Sequence, residues 1–113
     1  MDYTVGCDIV HIPDFARSAY EGGEQFLDKV FVSSERSLAH SIDSLAGYFA
    51  IKESVIKAIG TKIAWTDIII YKDDSGKPAI KLPLTYSLYQ TEVSVSHHGE
   101  YAIAMALLTK PAI

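Results

Sequence analysis

Cysteine is nearly absent from this sequence, and a surplus of basic residues is missing altogether. Cys7 is the single cysteine among 113 residues, so no disulfide can form within the chain. Such sparing use of cysteine is typical of reducing compartments. The 14 acidic residues outnumber the 10 basic ones and give a formal net charge of −4, which disfavours a non-specific binder of DNA or RNA. These shortages predict a cytoplasmic protein with no nucleic-acid partner.

Long apolar runs and the common catalytic signatures are also missing. The longest late apolar run, residues 101–108, is too short to cross a bilayer. The N-terminal segment lacks the basic start and long apolar core of a signal peptide, so we expect no membrane association. Neither of the glycine-rich phosphate loops occurs, nor does the G-x-S-x-G turn of serine hydrolases. No cluster of cysteine and histidine completes a tetrahedral zinc site.

The residues that are present indicate one globular domain covering 1–113. Hydrophobic residues make up 49% of the chain, enough for a real core at this length. Helical patterns come first and strand patterns last, which predicts an α+β fold with an antiparallel sheet. The predicted strands are 5–12, 66–71, 77–82, 92–96 and 101–108, the last apolar on both faces and therefore buried. The predicted helices are 14–20, 24–30, one that begins at 33–35 with serine capping, and a long one that Asp43 or Ser44 caps and Gly60 ends.

Two carboxylates stand out in otherwise apolar segments. Asp8 interrupts the first strand, where burial is costly unless the charge is paired or bound to a metal. Glu53 and Lys57 lie one turn apart on the long helix, with Phe49 one turn before them. The simplest interpretation is a strand-end Asp8 and a surface ion pair worth about 0.2–0.5 kcal/mol. The alternative is a cleft in which Asp8 and Glu53 hold Mg²⁺ against a phosphorylated substrate, with Lys52, Lys57 and His97 receiving its charge.

Two other catalytic arrangements can be drawn from the sequence and are less favoured. Ser96, His98 and an aspartate would make a hydrolase triad, but the turn that presents the nucleophile is missing. Cys7 and His11 would make a thiol–imidazole pair, but a small buried cysteine is the commoner case.

Three separated parts of the chain carry short motifs: residues 6–10 read GCDIV, residues 49–60 read FAIKESVIKAIG, and residues 65–97 contain Trp65, Asp67, GKP and SVSH. Together these motifs resemble one family, the holo-acyl-carrier-protein synthases. Residues 6–10, GCDIV, are similar to the family's G-x-D-[IV]-V opening, and residues 49–60 match F-x-x-K-E-[AS]-x-x-K-A-x-G. Further along, Trp65 and Asp67 match W-x-D-I, while residues 76–78 read GKP and residues 94–97 read SVSH, as in the family. Order and spacing agree over nearly the whole chain, which makes the set specific although each segment alone is weak.

The resemblance implies a fold, a reaction and a site. The fold is that of the 4′-phosphopantetheinyl transferases, an antiparallel sheet packed against one long helix plus short helices. The enzyme moves the phosphopantetheine arm of coenzyme A onto a serine of an acyl carrier protein, from a fatty-acid, polyketide or other pathway, and releases adenosine 3′,5′-bisphosphate. Asp8 and Glu53 would bind Mg²⁺, and Lys57 would steady the leaving phosphate, so these three are the catalytic candidates. Glu53 is also a candidate base for the serine proton.

The resemblance also implies coenzyme contacts and a homotrimer whose active sites lie between neighbouring chains. The candidate coenzyme-binding residues are Lys52, Lys57, Gly76, Lys77, Pro78, Ser96 and His97. Some positions depart from the family pattern: Tyr48 stands where many relatives have arginine, His98 and Gly99 replace the usual threonine, and the first helical region has few basic residues. The departures keep a second hypothesis open, a catalytically weak relative that binds coenzyme A or a carrier protein without efficient transfer. A third interpretation makes every candidate residue ordinary surface or core.

Overall fold

The computed structural model describes residues 2–111 and has the expected α+β architecture. The helices and strands, in chain order, are β1 (Asp2–His11), α1 (Ile12–Val30), α2 (Ser33–Leu38), α3 (Ile42–Ile59), β2 (Ile69–Lys72), β3 (Pro78–Lys81), β4 (Gln90–His98) and β5 (Tyr101–Lys110). Single 3₁₀ turns cover Trp65–Asp67 and Leu84–Tyr86. Within residues 2–111, none of the helices has the length and apolarity needed to cross a membrane.

The long helix α3 lies against a three-stranded antiparallel sheet with the strand order β1-β5-β4. Strands β2 and β3 form a separate antiparallel hairpin. Gly6 makes the close packing of β1 on α3 possible, because a Cβ at this position would lie 1.8 Å from the carbonyl oxygen of Ser54. Side chains two residues apart on a strand share a face, so Asp8 faces the same helix as Gly6. The glycine therefore brings the Asp8 carboxylate close to α3.

The helix ends differ from the predicted ones by a few residues. Ser41 caps α3, in place of Asp43 or Ser44, and its Oγ accepts a 3.1 Å hydrogen bond from the N–H of Ser44. Gly60 ends α3 in the left-handed conformation, as predicted (φ 77°, ψ 1°). No serine caps α2, since Val32 occupies the N-cap position.

The first helix is longer than predicted but is broken where the glycines indicate. It starts at Ile12 rather than at residue 14, because Pro13 lacks an N–H and fits the first turn of a helix. Gly23 has non-helical backbone angles (φ 58°, ψ −145°), so the two helical segments predicted around it are present as the two arms of α1.

Two strand boundaries also need correction. The segment predicted as a strand from residue 66 begins with the 3₁₀ turn, and β2 starts only at Ile69. His97 and His98 were expected in a connection but belong to β4. The actual connection to β5 is the pair Gly99 and Glu100, and Gly99 has the positive φ (56°) that two-residue hairpin turns favour.

The prediction that β5 is buried on both faces is wrong for the single chain. Its inner side chains are 0–1% exposed against α3, whereas its outer side chains are 39–52% exposed. On β1, outer residues of the same kind are 50–69% exposed. We call this apolar surface the outer face; it consists of Tyr3, Val5, Ile9, Tyr101, Ile103, Met105 and Leu107. Alternating side chains explain the difference, because one helix layer can cover only one side of a sheet.

Candidate active site

Asp8 and Lys57 meet across the contact between β1 and α3. The Lys57 Nζ donates hydrogen bonds to Asp8 Oδ1 (2.9 Å) and to the backbone oxygen of Cys7 (3.0 Å). The Asp8 hydrogen bond and charge raise the pKa of Lys57. Among the described residues the carboxylate that pairs with Lys57 is therefore Asp8, and the simple surface pair of Glu53 with Lys57 is not formed.

Asp8 and Glu53 line the same cavity, which has a volume of about 340 Å³. We call it the acidic cavity. Phe15 and Phe49 form part of its apolar wall, with their ring centroids 5.4 Å apart. The remaining lining residues are Ile9, Val10, His11, Asp14, Ser18 and Phe26. The two candidate metal ligands, from β1 and α3, thus reach one space.

The donor set of this cavity suits Mg²⁺ together with a phosphorylated substrate. Within residues 2–111 no group of three or more His, Cys, Asp or Glu side chains is arranged to hold a metal ion. Mg²⁺ in phosphoryl-transfer sites commonly takes one or two carboxylates and completes its shell with waters and phosphate oxygens. Asp8 and Glu53 provide that partial set and leave the other positions to the substrate.

His11 forms a clamp with two carboxylates at the rim of the acidic cavity, which sequence reasoning missed. Its Nδ1 lies 3.0 Å from Asp14 Oδ2, and its Nε2 lies 2.9 Å from Glu100 Oε2. Hydrogen bonding to Glu100 first, and to Asp14 second, raises the pKa of His11 above its usual 6.5. Only Asp14, three residues further along, was visible in the sequence as a partner, because Glu100 comes from the far end of the chain. The less favoured pairing of His11 with Cys7 is not present among the described residues, and the expectation of a buried Cys7 is wrong, since this residue is exposed.

This clamp makes stability depend on pH in a defined direction. Because the folded pKa of His11 is raised, its stabilising effect is fully present below the unfolded pKa of 6.5 and is lost as pH rises through the folded value. We expect His11→Gln to lower the free energy of unfolding more at about pH 6 than at about pH 9. Urea unfolding at a series of pH values, with His98→Gln as a control, measures the difference. A difference that grows with pH would contradict the clamp.

A second cavity, with a volume of about 300 Å³, lies beside the turn of the β2–β3 hairpin. Three of the expected coenzyme contacts line it: Gly76, Pro78 and His97. We call it the hairpin cavity. The His97 Nε2 is 3.0 Å from the backbone oxygen of Asp43. A Cβ on Gly47 would lie 3.0 Å from the His97 ring, so this glycine lets the ring approach α3 closely.

Tyr48 lines the hairpin cavity at the position where the family pattern has arginine. The residue is 5% exposed. Burial, and secondarily the charge of Glu35, raises the pKa of the Tyr48 phenol, which keeps it neutral. The free cation beside the cavity is instead Lys72, for which the described residues offer no carboxylate within ion-pair distance. A phosphate bound here would therefore meet Lys72 and His97 rather than an arginine fork.

Four expected coenzyme contacts line neither cavity: Lys52, Lys77, Ser96, and Lys57, which is nevertheless bonded to Asp8 of the acidic cavity. Lys52 is fully buried and its Nζ is bonded to acceptors inside the protein, so the expectation that it contacts the coenzyme is corrected. Lys77 pairs with Glu92 on β4 at 3.1 Å. Ser96 is opposite Ile103 in the strand register, which places it on the outer side of the sheet while His97 lies on the inner side.

The acidic cavity and the hairpin cavity lie on different sides of α3 and share no lining residue. A helix turns about 100° per residue, so the five residues from Tyr48 to Glu53 rotate the side chain by about 140°. A small ligand held by Glu53 in one chain is therefore on the other side of the helix from the Tyr48 and His97 of that chain.

Comparison with known proteins places these features in a family. The profile of the 4′-phosphopantetheinyl transferase superfamily matches residues 4–106. The holo-[acyl-carrier-protein] synthase of Sulfurovum sp. (strain NBC37-1) is 35% identical over 112 residues, covering 92% of this chain and 94% of that protein. The protein of the same name from Chlorobaculum tepidum is 38% identical over 111 residues, covering 91% and 95%. The crystal structure of the Helicobacter pylori holo-[acyl-carrier-protein] synthase in complex with coenzyme A superposes with a TM-score of 0.86 at 31% identity, covering 93% of this chain and 99% of that one.

Proposed function

The chain belongs to the 4′-phosphopantetheinyl transferase superfamily, and from that premise we propose that residues 1–113 form one holo-acyl-carrier-protein synthase domain. It transfers the 4′-phosphopantetheine group of coenzyme A to a serine of an apo acyl carrier protein. The serine oxygen attacks the phosphorus that carries the pantetheine arm. The bond from that phosphorus to the bridging oxygen breaks, and adenosine 3′,5′-bisphosphate leaves. The observation that carries this proposal is that Asp8 and Glu53 line one cavity and that Lys57 donates a hydrogen bond to Asp8.

Each of these three side chains has a task that its position supports. Mg²⁺, when bound by Asp8 and Glu53, supplies Lewis-acid stabilisation of the charge on the phosphate oxygens. Lys57 has its ammonium fixed by Asp8 at 2.9 Å, next to the space where the bridging oxygen gains negative charge. Glu53 has no side-chain hydrogen bond to another described residue, so its carboxylate can accept the serine proton.

The nucleotide end of coenzyme A is assigned to the hairpin cavity of a neighbouring chain. Gly76, Pro78 and His97 line this cavity, and α3 separates them from Glu53 of the same chain. Two copies that face each other could bring one acidic cavity and one hairpin cavity to the same coenzyme. We therefore include the homotrimer in the proposal. The exposed outer face supports it, since large apolar patches on a single chain are typical of interfaces.

The place of the reaction is proposed to be the cytoplasm, in fatty acid biosynthesis. The sparing use of cysteine supports this place, since Cys7 is the single cysteine and the fold uses no disulfide within the chain. The same compartment supplies coenzyme A and the apo carrier protein that the reaction needs.

One observation favours a second candidate, a relative that binds coenzyme A without efficient transfer. Tyr48 offers the hairpin cavity a buried neutral phenol, where an arginine would bind phosphate through a charged fork. If the protein binds coenzyme A but transfers no phosphopantetheine, the next test is whether Tyr48→Arg gains transfer activity.

Intact-mass analysis of apo carrier proteins tests the function. A panel of carriers is incubated with the protein, coenzyme A and Mg²⁺, with parallel reactions in EDTA. We expect a gain of one phosphopantetheine on at least one carrier, equal release of adenosine 3′,5′-bisphosphate, and no gain in EDTA. Absence of a gain on every carrier, with coenzyme binding intact, would exclude the transferase and favour the binding protein.

A further inference from the structure

Lys52 and Glu35 form an ion pair that is completely buried. Both residues are 0% exposed, and the Lys52 Nζ lies 2.7 Å from Glu35 Oε1. The ammonium also donates to the backbone oxygens of Val30 (2.8 Å) and Trp65 (2.9 Å). Its three protons therefore have three acceptors, and none is left for a ligand.

The carboxylate of Glu35 is equally occupied. Its Oε1 also accepts from the backbone N–H of Val32 at 2.9 Å, and its Oε2 accepts from the N–H of Ile70 at 2.7 Å. We call the contacts of Lys52 and Glu35 the buried network. It joins the end of α1, the start of α2, the middle of α3, the 3₁₀ turn at Trp65 and the start of β2.

Stability alone is a weak explanation for such a pair. Removing two charges from water costs several kcal/mol per ion, and well-packed neutral residues in place of a buried pair are often as stable or more so. What an ion pair adds is directional bonding that permits one arrangement of the elements it joins. The question is then which arrangement this protein has to hold.

Both halves of the proposed site are attached to the buried network. Glu53, the next residue after Lys52, lines the acidic cavity, so any rotation of α3 about its axis at Lys52 turns Glu53 out of line with Asp8. Ile70 lies in β2, and the hairpin that β2 forms with β3 carries two residues of the hairpin cavity, Gly76 in its turn and Pro78 at the start of β3. A single pair thus fixes the rotation of the catalytic helix and the position of the coenzyme-binding hairpin against it.

We propose that Lys52 and Glu35 are positioning residues for phosphopantetheine transfer, which hold Glu53 towards Asp8 and set the β2–β3 hairpin against α3. The inference rests on the proposed function. Neither residue touches a substrate; each acts through the elements that it bonds. Misplacement of a reacting group by about 1 Å can cost about 10²-fold in rate, so the effect of losing the network is expected to be large.

The test is the neutral double variant Lys52→Met with Glu35→Gln, which removes both charges and keeps the side-chain size. We expect a folded protein whose transfer rate at saturating coenzyme falls by about 10²-fold. With Mn²⁺ in place of Mg²⁺, the metal concentration that gives half of the maximal rate should rise, because Glu53 is no longer held towards Asp8. The matched control is Glu24→Gln with Arg36→Met, which removes a partly exposed pair between α1 and α2 (3.0 Å) and should leave both quantities unchanged.

A milder variant keeps the proposal testable if the double variant does not fold. Glu35→Asp retains the charge but draws the carboxylate away from the N–H of Ile70, so we expect a folded protein with a raised KM for coenzyme A. The proposal is overturned if a folded variant of either kind keeps the transfer rate, the Mn²⁺ requirement and the KM for coenzyme A of the wild-type protein. If the wild-type protein transfers nothing, the proposed function fails by itself. Mn²⁺ binding with coenzyme A present, measured by electron paramagnetic resonance in wild type and variants, then decides whether the network positions Glu53.

Discussion

Glu53→Gln is expected to lower the rate of phosphopantetheine transfer by about 10²–10⁴-fold, the range lost with a general base. Asp8→Asn is expected to lower it by about 10²–10³-fold, the range lost with a group that stabilises transition-state charge. Each change removes one of the two carboxylates of the acidic cavity and keeps the shape of the side chain. Asp8→Asn also weakens the ion pair with Lys57, whose side chain is 57% exposed, so the free energy of unfolding should change little.

Timed intact-mass analysis of the carrier protein measures the rate, and urea unfolding measures the stability. Glu21→Gln is the control: it removes an exposed carboxylate of α1 that lines neither cavity. A loss of transfer in the control as large as in the two site variants, or a wild-type rate in either site variant, would contradict the assignment of the catalytic carboxylates.

Mixing two inactive variants is expected to restore transfer, which is the second large effect. Glu53→Gln damages the acidic cavity, and His97→Ala damages the hairpin cavity. If each site combines cavities of two chains in a closed trimer, random mixing in equal amounts makes about one quarter of the sites intact. Activity at low coenzyme concentration should then reach about one quarter of the wild-type value from a far lower starting level.

A site contained within one chain predicts that mixing does not restore transfer. If one chain holds the whole site, every mixed trimer contains only damaged sites, and activity stays at the mean of the two variants. The two proteins must exchange subunits for the comparison to count, so they are unfolded together and refolded before the assay. Wild type carried through the same procedure provides the reference, and its mass in solution reports the oligomer.

The two carboxylates of the acidic cavity, Asp8 and Glu53, could be singled out from local sequence patterns. A carboxylate inside an apolar strand is costly to bury, so it stands out in the sequence. A Glu and a Lys one turn apart on a helix share a face, so their spacing alone shows that they are neighbours. The partner of Lys57 could not be predicted this way, because its contact with Asp8 joins residues 49 positions apart. Gly6 was the available clue, since a glycine in a strand marks a close approach of another backbone.

Lys52 shows where local reasoning fails. Lys52 directly precedes Glu53 and comes about one and a half helical turns before Lys57. From that position alone, the sequence indicates one more exposed cation. The burial of Lys52 is decided by Glu35, which is 17 residues away and whose pattern indicated only the start of a helix. That local interpretation explains the bond to the N–H of Val32 but not the bond to Ile70, 35 residues along the chain.

The last strand shows a different limit. Its sequence is apolar at every position from Tyr101 to Leu108, and such runs are typical of strands with both faces covered. The single chain covers one face with α3, and nothing within residues 2–111 covers the other. An apolar pattern predicts that a strand face is shielded from water, but it does not show whether the same chain or another chain shields it.

The most direct measurement is the location of the metal in crystals grown with coenzyme A and Mn²⁺. The anomalous signal of Mn²⁺ identifies the ion independently of the protein atoms. If Asp8 and Glu53 bind the metal, each acidic cavity should hold a single strong peak, bonded to oxygens of both carboxylates and of the coenzyme phosphates. A peak bonded to other residues, or coenzyme phosphates bound without contact to either carboxylate, would contradict this assignment.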